Sequence, residues 1–127
     1  MIVSVSEIRQ YITQALISLG LPESDAEIAT GGMVQTSLWG IDTHGIRLFP
    51  TYVKELVGGR SQLGSDMQVT QKAAAAASID AKQSLGVLAG FKAAEIARDL
   101  AVDSGCGVVS VHNSNHFGAA QLYLSLI

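Results

Sequence analysis

The sequence predicts an α/β protein in which N-terminal helices are followed by the strands and helices of an incomplete α/β domain. Two observations support this class. Residues 5–57 contain amphipathic segments with helix-capping signals, whereas residues 65–127 follow the order strand, helix, strand, loop, helix. The change of character after Gly64 predicts two units, a helical region at 1–64 and the leading part of an α/β domain at 65–127.

The first helix is predicted within "SVSEIRQYITQALISLG". Ser4 and Glu7 have the spacing of a capping box, with Ser6 as a competing N-cap, and Gly20 is a natural end of the helix. Apolar residues at helical spacing form one stripe, which consists of Ile8, Ile12, Ala15, Leu16 and Leu19.

Two more helices follow in the first half. The second begins in "LPESDAE", with Pro22 in its first turn, and reaches about Leu38. It contains Gly31-Gly32, which together cost about 2 kcal/mol of helix propensity and therefore predict close packing or a bend. The third helix is predicted from Ile46 to Val57.

The second half predicts a mixed set of elements. Two strands are expected near 67–71 and 74–80, then a long helix from Leu85 to Ser104. "CGVVSVHN" has the small and β-branched residues of a buried strand, in which Cys106 is expected to pack inside. A last helix begins in "SNHFGAAQLYLSLI" and reaches Ile127 without a capping signal, so the domain is expected to be cut off within an element.

Composition limits the classes of function. The net charge of −3 and the lack of a basic block argue against nucleic-acid binding. The chain has no run of 18 apolar residues, so no membrane partner is expected, and its single cysteine requires no oxidising compartment. A cytoplasmic location is the expectation. The charged fraction is 15%, below the ~25% usual for soluble domains, which favours burial against a partner.

His44 lies in "GIDTHG", between two predicted helices. Because the pKa of histidine is ordinarily close to neutral, a histidine held by such a loop is suited to act as a general acid or base. The alternative is that Asp42 or Thr43 caps the next helix and His44 is an ordinary residue of its first turn.

His112 and His116 are four residues apart in "HNSNHFGAAQLY". On a helix this spacing can bind zinc, but "NSN" is typical of a turn, so the two rings are not expected to share a face. A loop that leaves a buried strand and enters a helix is a usual place for ligand-binding groups in α/β proteins. The other interpretation is that His116 is an ordinary loop residue between asparagine turns. Neither a G-x-G-x-x-G fingerprint nor a G-x-S-x-G motif is present.

Together, "GIDTHGIRLFPTYV" and "VHNSNHFGAA" resemble the two N-terminal motifs of the malate/L-lactate dehydrogenase family. That family includes ureidoglycolate dehydrogenase, sulfolactate dehydrogenase and diketogulonate reductase, and it is separate from the lactate and malate dehydrogenases with a Rossmann fold. The resemblance spans nearly the whole chain, but family members are much longer. It implies that residues 65–127 begin a nicotinamide-binding domain.

The resemblance also implies roles for individual residues. His44 and His116 match the family's catalytic histidines, the first in substrate binding or proton donation and the second as a proton acceptor. Thr43, in the same motif as His44, and Tyr52, an aromatic position, are expected to contact the substrate. The family's carboxylate-binding arginine falls at Leu48 here, and Arg47 stands one place earlier.

The resemblance further implies NAD or NADP as the cofactor, with Gly118 as a cofactor contact, and a homodimer acting on a small 2-hydroxy or 2-oxo acid. No metal is expected. The leading hypothesis is the N-terminal part of an NAD(P)-dependent 2-hydroxyacid oxidoreductase. Two alternatives stay open, a truncated module that folds or oligomerises without turnover, and a small zinc protein that uses His112 and His116.

Overall fold

The structure, a computed structural model, describes residues 2–64 and 66–125, and it confirms the α/β class. Helices α1 to α3 precede strands β1 and β2, and helix α4, strand β3 and helix α5 follow. Within the described residues the helices are α1 (Val5–Ser18), α2 (Glu23–Leu38), α3 (Phe49–Val57), α4 (Gly86–Ser104) and α5 (Gln121–Leu124), and the strands are β1 (Gln68–Ala73), β2 (Ala76–Asp80) and β3 (Val108–His112).

Helix α1 begins with the capping box that its sequence predicts. The Glu7 backbone N–H donates to Ser4 Oγ at 3.2 Å, and the Ser4 backbone N–H donates to Glu7 Oε2 at 2.9 Å. Ser4 is therefore the N-cap, and Ser6 only contacts the Ser4 hydroxyl. Both partners are set by local sequence, which explains why this helix start could be predicted.

The sheet is mixed, with the order β1-β2-β3 among the described strands. Strands β1 and β2 form an antiparallel pair, whereas β3 lies parallel to β2, with Ile79 opposite Val111 and Asp80 opposite His112. Helix α4 connects the two parallel strands and packs against both of them. The carboxyl ends of β2 and β3 consequently lie side by side, and the loop that contains His116 leaves from this edge.

The prediction that β3 is buried is wrong. Val108 is 64% exposed and Val111 is 37% exposed, because β3 pairs on one side with β2 and lies at the sheet edge within the described residues. Cys106 is also exposed, and it precedes the strand instead of packing inside it. A run of small and β-branched residues indicates that a strand can be buried, but it does not say whether neighbouring strands are present.

The third helix starts later than predicted. Residues Asp42–His44 and Ile46–Leu48 form two short 3-10 turns, and α3 begins only at Phe49, with Pro50 in its first turn. The backbone between the turns is held by Ser37, whose hydroxyl accepts a hydrogen bond from the Ile46 N–H at 2.9 Å. This tertiary contact, which no local pattern announces, keeps the segment out of a regular α-helix.

The hydrophobic core contains residues from both sides of the predicted boundary at Gly64, and the division into two units stays a prediction. Its buried members are Ile12, Leu16, Leu21, Ala26, Ala29, Met33, Tyr52, Leu56, Leu85, Val87, Leu88 and Leu122. The close packing predicted at the glycine pair of α2 is confirmed at Gly32. A Cβ there would lie 2.8 Å from Leu122 Cδ2 and 3.1 Å from Val87 Cγ2.

The last predicted helix is described only in part. Helix α5 covers Gln121–Leu124, and the predicted continuation to Leu126 and Ile127 lies outside the described residues. No helix in the described part of the chain combines the length and the apolar character needed to span a bilayer.

Candidate active site

Two loops from distant parts of the sequence meet at the carboxyl end of β3. His44 belongs to the 3-10 turn that follows α2, and His116 belongs to the loop that follows β3. The two imidazole rings stack with their centroids 5.6 Å apart and their planes at 29°. The structure thus brings together the two histidines that the motifs single out.

The turn that carries His44 is fixed against α2. Gly45 packs so tightly on Ser37 that a Cβ would overlap the Ser37 hydroxyl and lie 2.9 Å from its backbone nitrogen. The Thr43 hydroxyl lies 2.9 Å from His44 Nδ1, within hydrogen-bond distance. Because a hydroxyl can both donate and accept, this contact is compatible with either tautomer of His44.

The loop that carries His116 is fixed by its neighbour Asn115. The Asn115 amide nitrogen donates to the carbonyl oxygens of Gln83 at 2.9 Å and of Ser84 and Arg60 at 3.3 Å. Opposite this loop, Gly86 leaves no room for a side chain, since a Cβ would overlap the Asn115 carbonyl oxygen. Sequence reasoning assigned Asn115 only a turn, and no local signal indicates its tertiary role.

Tyr52 approaches His116 from the core side. Its side chain is 1% exposed, and its hydroxyl lies 3.3 Å from His116 Nδ1. Burial, with a smaller contribution from the negative charge of Glu55, raises the pKa of Tyr52 to about 12. The phenol therefore stays protonated at neutral pH and can donate a hydrogen bond to the imidazole.

Gly118 reaches the same nitrogen of His116. Its backbone N–H donates to His116 Nδ1 at 3.3 Å, and its φ of +73° lies in the left-handed region that glycine tolerates. The N–H that could have met an anionic ligand is thus engaged within the protein. A cofactor could therefore contact Gly118 only at its carbonyl oxygen, or by close approach to its backbone, which carries no side chain.

Two other predicted residues lie apart from this cluster. Arg47 is exposed on the second 3-10 turn and has no hydrogen bond or ion pair to another residue in 2–64 or 66–125. His112 ends β3, where its Nδ1 lies 3.5 Å from the Ser78 hydroxyl, whereas His116 contacts Tyr52 and His44. The described residues contain no group of three or more His, Cys, Asp and Glu arranged to hold a metal ion.

An apolar groove of about 420 Å³ lies between α4 and β3 and reaches the His116 loop. Small and apolar residues line it, among them Gly90, Ala93, Val111 and Phe117. The groove suits a flat apolar group, but among its described lining residues there is no lysine or arginine to meet a pyrophosphate. The described residues alone therefore do not form a complete nicotinamide cofactor site.

These features define an α/β protein with a candidate acid–base site at the carboxyl end of a parallel strand. The chain belongs to the malate/L-lactate dehydrogenase family, whose model matches residues 3–127.

Two relatives named as dehydrogenases match 89% and 99% of this chain. The L-sulfolactate dehydrogenase of Methanocaldococcus jannaschii is 36% identical over 126 residues, which are 99% of this chain and 37% of that protein. The malate dehydrogenase of Pyrococcus horikoshii is 34% identical over 113 residues, 89% of this chain and 31% of the relative.

Solved structures match equally well. The solved structure of malate dehydrogenase from Pyrococcus horikoshii OT3 superposes with a TM-score of 0.95 at 31% identity, covering 99% of this chain and 36% of that one. The sulfolactate dehydrogenase from Methanocaldococcus jannaschii also has a TM-score of 0.95. The chain spans about a third of the length of these relatives.

Proposed function

We propose that this chain is the N-terminal part of an NAD(P)-dependent oxidoreductase that interconverts a 2-hydroxy acid and a 2-oxo acid of the malate, lactate or ureidoglycolate type. The observation that supports it most directly is the stacking of His44 on His116. The malate, sulfolactate and hydroxycarboxylate dehydrogenases among the relatives support the substrate class. The substrate, the cofactor and the activity are parts of this proposal.

The reaction assigns a separate task to each group. Oxidation of a 2-hydroxy acid to the 2-oxo acid would need a nicotinamide, when bound, to take up the hydride and a base to take up the hydroxyl proton. His44 and His116 are the groups proposed to handle the proton and the substrate oxygen. Arg47 is proposed to bind the carboxylate and Thr43 to lie beside the substrate, while Tyr52, which is buried behind His116, would reach the substrate through that ring.

The proposed cofactor is NAD or NADP, which supplies hydride chemistry when bound. Gly118 and the apolar groove, whose lining includes Asn115 and Phe117, are next to His116 and would be the part of the described chain to hold the nicotinamide ring. We further propose a homodimer in the cytoplasm, with small-molecule partners and neither nucleic acid nor a membrane as a ligand.

A coupled absorbance assay tests the function. The longest natural form of the chain is incubated with NAD or NADP and with malate, lactate, ureidoglycolate or sulfolactate, and the corresponding oxo acids are tested with the reduced cofactors. Hydride transfer with at least one pair is expected. Failure with every 2-hydroxy acid would remove the proposal.

A second candidate is a truncated, non-catalytic module that folds or oligomerises without turnover. The outer edge of β3, which has no paired strand within the described residues, favours it, because an unpaired strand edge suits association. Sequencing the DNA downstream of Ile127 separates the two candidates. A reading frame that continues for a further domain supports the enzyme, and a stop codon supports the module.

A further inference from the structure

Two hydrogen-bond donors reach the same nitrogen of His116. The Gly118 N–H and the Tyr52 hydroxyl each lie 3.3 Å from Nδ1. A backbone N–H can only donate, so the nitrogen opposite it must be the acceptor with a free lone pair. In a neutral imidazole the single ring hydrogen is then on Nε2. A ring protonated at Nδ1 would set two N–H groups against each other.

Tyr52 supports the same tautomer. Its hydroxyl has no other hydrogen-bond partner among residues 2–64 and 66–125, and its side chain is almost completely buried. With the pKa of Tyr52 raised to about 12 by burial, the hydroxyl keeps its proton throughout the physiological range. It is therefore available as a second donor to the nitrogen that Gly118 already contacts.

His44 meets a different kind of partner. Its Nδ1 faces the Thr43 hydroxyl at 2.9 Å, which can donate or accept according to the state of the ring. His44 can therefore gain or lose a proton without losing this contact, whereas His116 cannot gain a proton at Nδ1 without losing the hydrogen bond from the Gly118 N–H. The two stacked rings are thus not chemically equivalent.

We propose that Gly118 and Tyr52 hold His116 in the Nε2–H form, so that His116 donates a hydrogen bond to the substrate oxygen while His44 exchanges the proton. Tyr52 is then a positioning residue that acts through His116. The assignment of the substrate contact rests on the proposed function, but the tautomer does not. It differs from the proton-acceptor role that the family resemblance implies for His116.

The roles proposed for His116 and His44 account for both the charge and the proton in the reaction. In the reductive direction the carbonyl carbon of the 2-oxo acid would receive a hydride from the reduced nicotinamide named in the proposed function, and its oxygen would gain negative charge. The Nε2–H of His116 stabilises that charge by hydrogen bonding and keeps its own proton. His44 in its protonated form supplies the proton that completes the hydroxyl group. A neutral imidazole used as a fixed donor in this way has precedent in enzyme chemistry.

Nuclear magnetic resonance of the 127-residue protein tests the tautomer without any substrate. Long-range proton–nitrogen spectra of ¹⁵N-histidine-labelled protein report which ring nitrogen carries the hydrogen, and His116→Gln identifies the His116 signals. We expect an unprotonated Nδ1 and a protonated Nε2 at His116. A His116 signal of the Nδ1–H form at neutral pH would overturn the proposal.

Tyr52→Phe tests the second donor, since it keeps the buried ring and removes only the hydroxyl. The fraction of Nδ1–H form at His116 is expected to rise, while the signals of His112, at the end of β3, stay unchanged. Backbone amide spectra check that the variant is folded. A folded variant with the wild-type tautomer fraction at His116 would remove Tyr52 from the proposal.

Kinetics separate this inference from the proposed function. In a form with turnover, Tyr52→Phe should lower kcat by about tenfold, with a smaller change in KM. That is less than the ~10²–10³-fold loss that follows removal of an oxyanion donor outright. An unchanged kcat would contradict the positioning role. Absence of turnover in the wild type would overturn the proposed function and leave the tautomer result standing.

Discussion

At the scale of single residues, the two histidines of the site differ in accessibility and in what holds them. His116 is exposed and is held by hydrogen bonds from Gly118 and Tyr52, whereas His44 is half-buried beside Thr43. Both lie in short segments outside the α-helices and strands. Truncation of either ring should therefore affect chemistry much more than folding.

In a form with turnover, His44→Ala should lower kcat/KM by about 10²–10⁴-fold, the range for loss of a general acid or base, and His116→Ala by about 10²–10³-fold, the range for loss of an oxyanion donor. His112→Ala is the matched control, because His112 is exposed at the end of β3 and should leave the rate unchanged. Steady-state kinetics and circular dichroism measure rate and folding. Activity of His116→Ala within a few-fold of the wild type would contradict a role in the reaction.

Arg47 offers a second residue-level test. A guanidinium group binds a planar carboxylate through two parallel hydrogen bonds, which a lysine ammonium cannot reproduce. Arg47→Lys should therefore raise KM for the 2-hydroxy acid while thermal stability stays within experimental error. Arg98→Lys, an exposed change on α4, is the control. A KM equal to that of the wild type would show that Arg47 lies outside the substrate site.

At the scale of elements, glycine decides how closely α2 approaches its neighbours. Gly31 and Gly32 are adjacent in the sequence, but only Gly32 faces α4 and α5 at close range. At Gly31 a Cβ would meet only the Arg9 side chain, at 3.5 Å, which is ordinary van der Waals contact. The same substitution at the two positions therefore separates helix propensity from packing.

Gly31→Ala should stabilise the protein by up to about 1 kcal/mol, because alanine is the better helix former. Gly32→Ala gains the same propensity but forces Val87 and Leu122 apart, which costs about 1–3 kcal/mol. Urea unfolding of both variants measures the difference. If Gly32→Ala proved at least as stable as Gly31→Ala, the close contact between α2 and α4 would not constrain the fold.

Elements set by local chemistry could be predicted from the sequence, and contacts between elements could not. The Ser4–Glu7 capping box and the extent of α4 follow from local spacing and propensity. The glycine pair of α2 indicated close packing but not the partners, which are Val87 and Leu122. The exposure of β3 depends on which strands are its neighbours. The Asn115 hydrogen bonds depend on the path of another loop, at Gln83 and Ser84.

Part of the candidate site could likewise be predicted from the sequence, and part could not. The motifs identify His44 and His116 individually. Their stacking arises only because helices α1 to α3 pack against α4 and the loop after β3. Tyr52 was expected to contact the substrate, a role that stays a prediction. Its contact with His116 could not be foreseen, because a helix position alone does not reveal which distant loop its side chain meets.

At the scale of the whole molecule, several large apolar side chains near the end of the described chain are exposed. Val108 and Val111 on β3, Phe117 in the following loop and Leu124 on α5 are all exposed. Beside them, the outer edge of β3 has no paired strand within the described residues. Unpaired strand edges and contiguous apolar surfaces both favour association.

The 127-residue protein is therefore expected to be at least a dimer. Val111→Lys, which places a charge on the β3 surface, should shift it towards monomer, whereas Val102→Lys on the exposed side of α4 should not. Size-exclusion chromatography with light scattering measures the mass. A wild-type monomer at tens of micromolar would contradict the expectation.

The same chain should bind nicotinamide cofactors weakly or not at all. The groove beside His116 is apolar, and no basic side chain among its described lining residues can meet a pyrophosphate. Calorimetric titration with NADH and with NADPH provides the measurement. A micromolar Kd for either would mean that the His116 loop and the groove hold more of the cofactor than their chemistry suggests.

The stacking of His44 on His116 has a consequence for the order of folding. Strands β1 and β2 are close in sequence and can pair early, whereas the two rings meet only after a long loop of chain has closed, at a corresponding entropic cost. The contact between the two imidazole rings should therefore form late in folding, when helices α1 to α3 pack against α4 and the loop after β3. A fluorescent or magnetic probe at the His116 loop would follow that docking step, and proteases should cut the unpaired loops until it is complete.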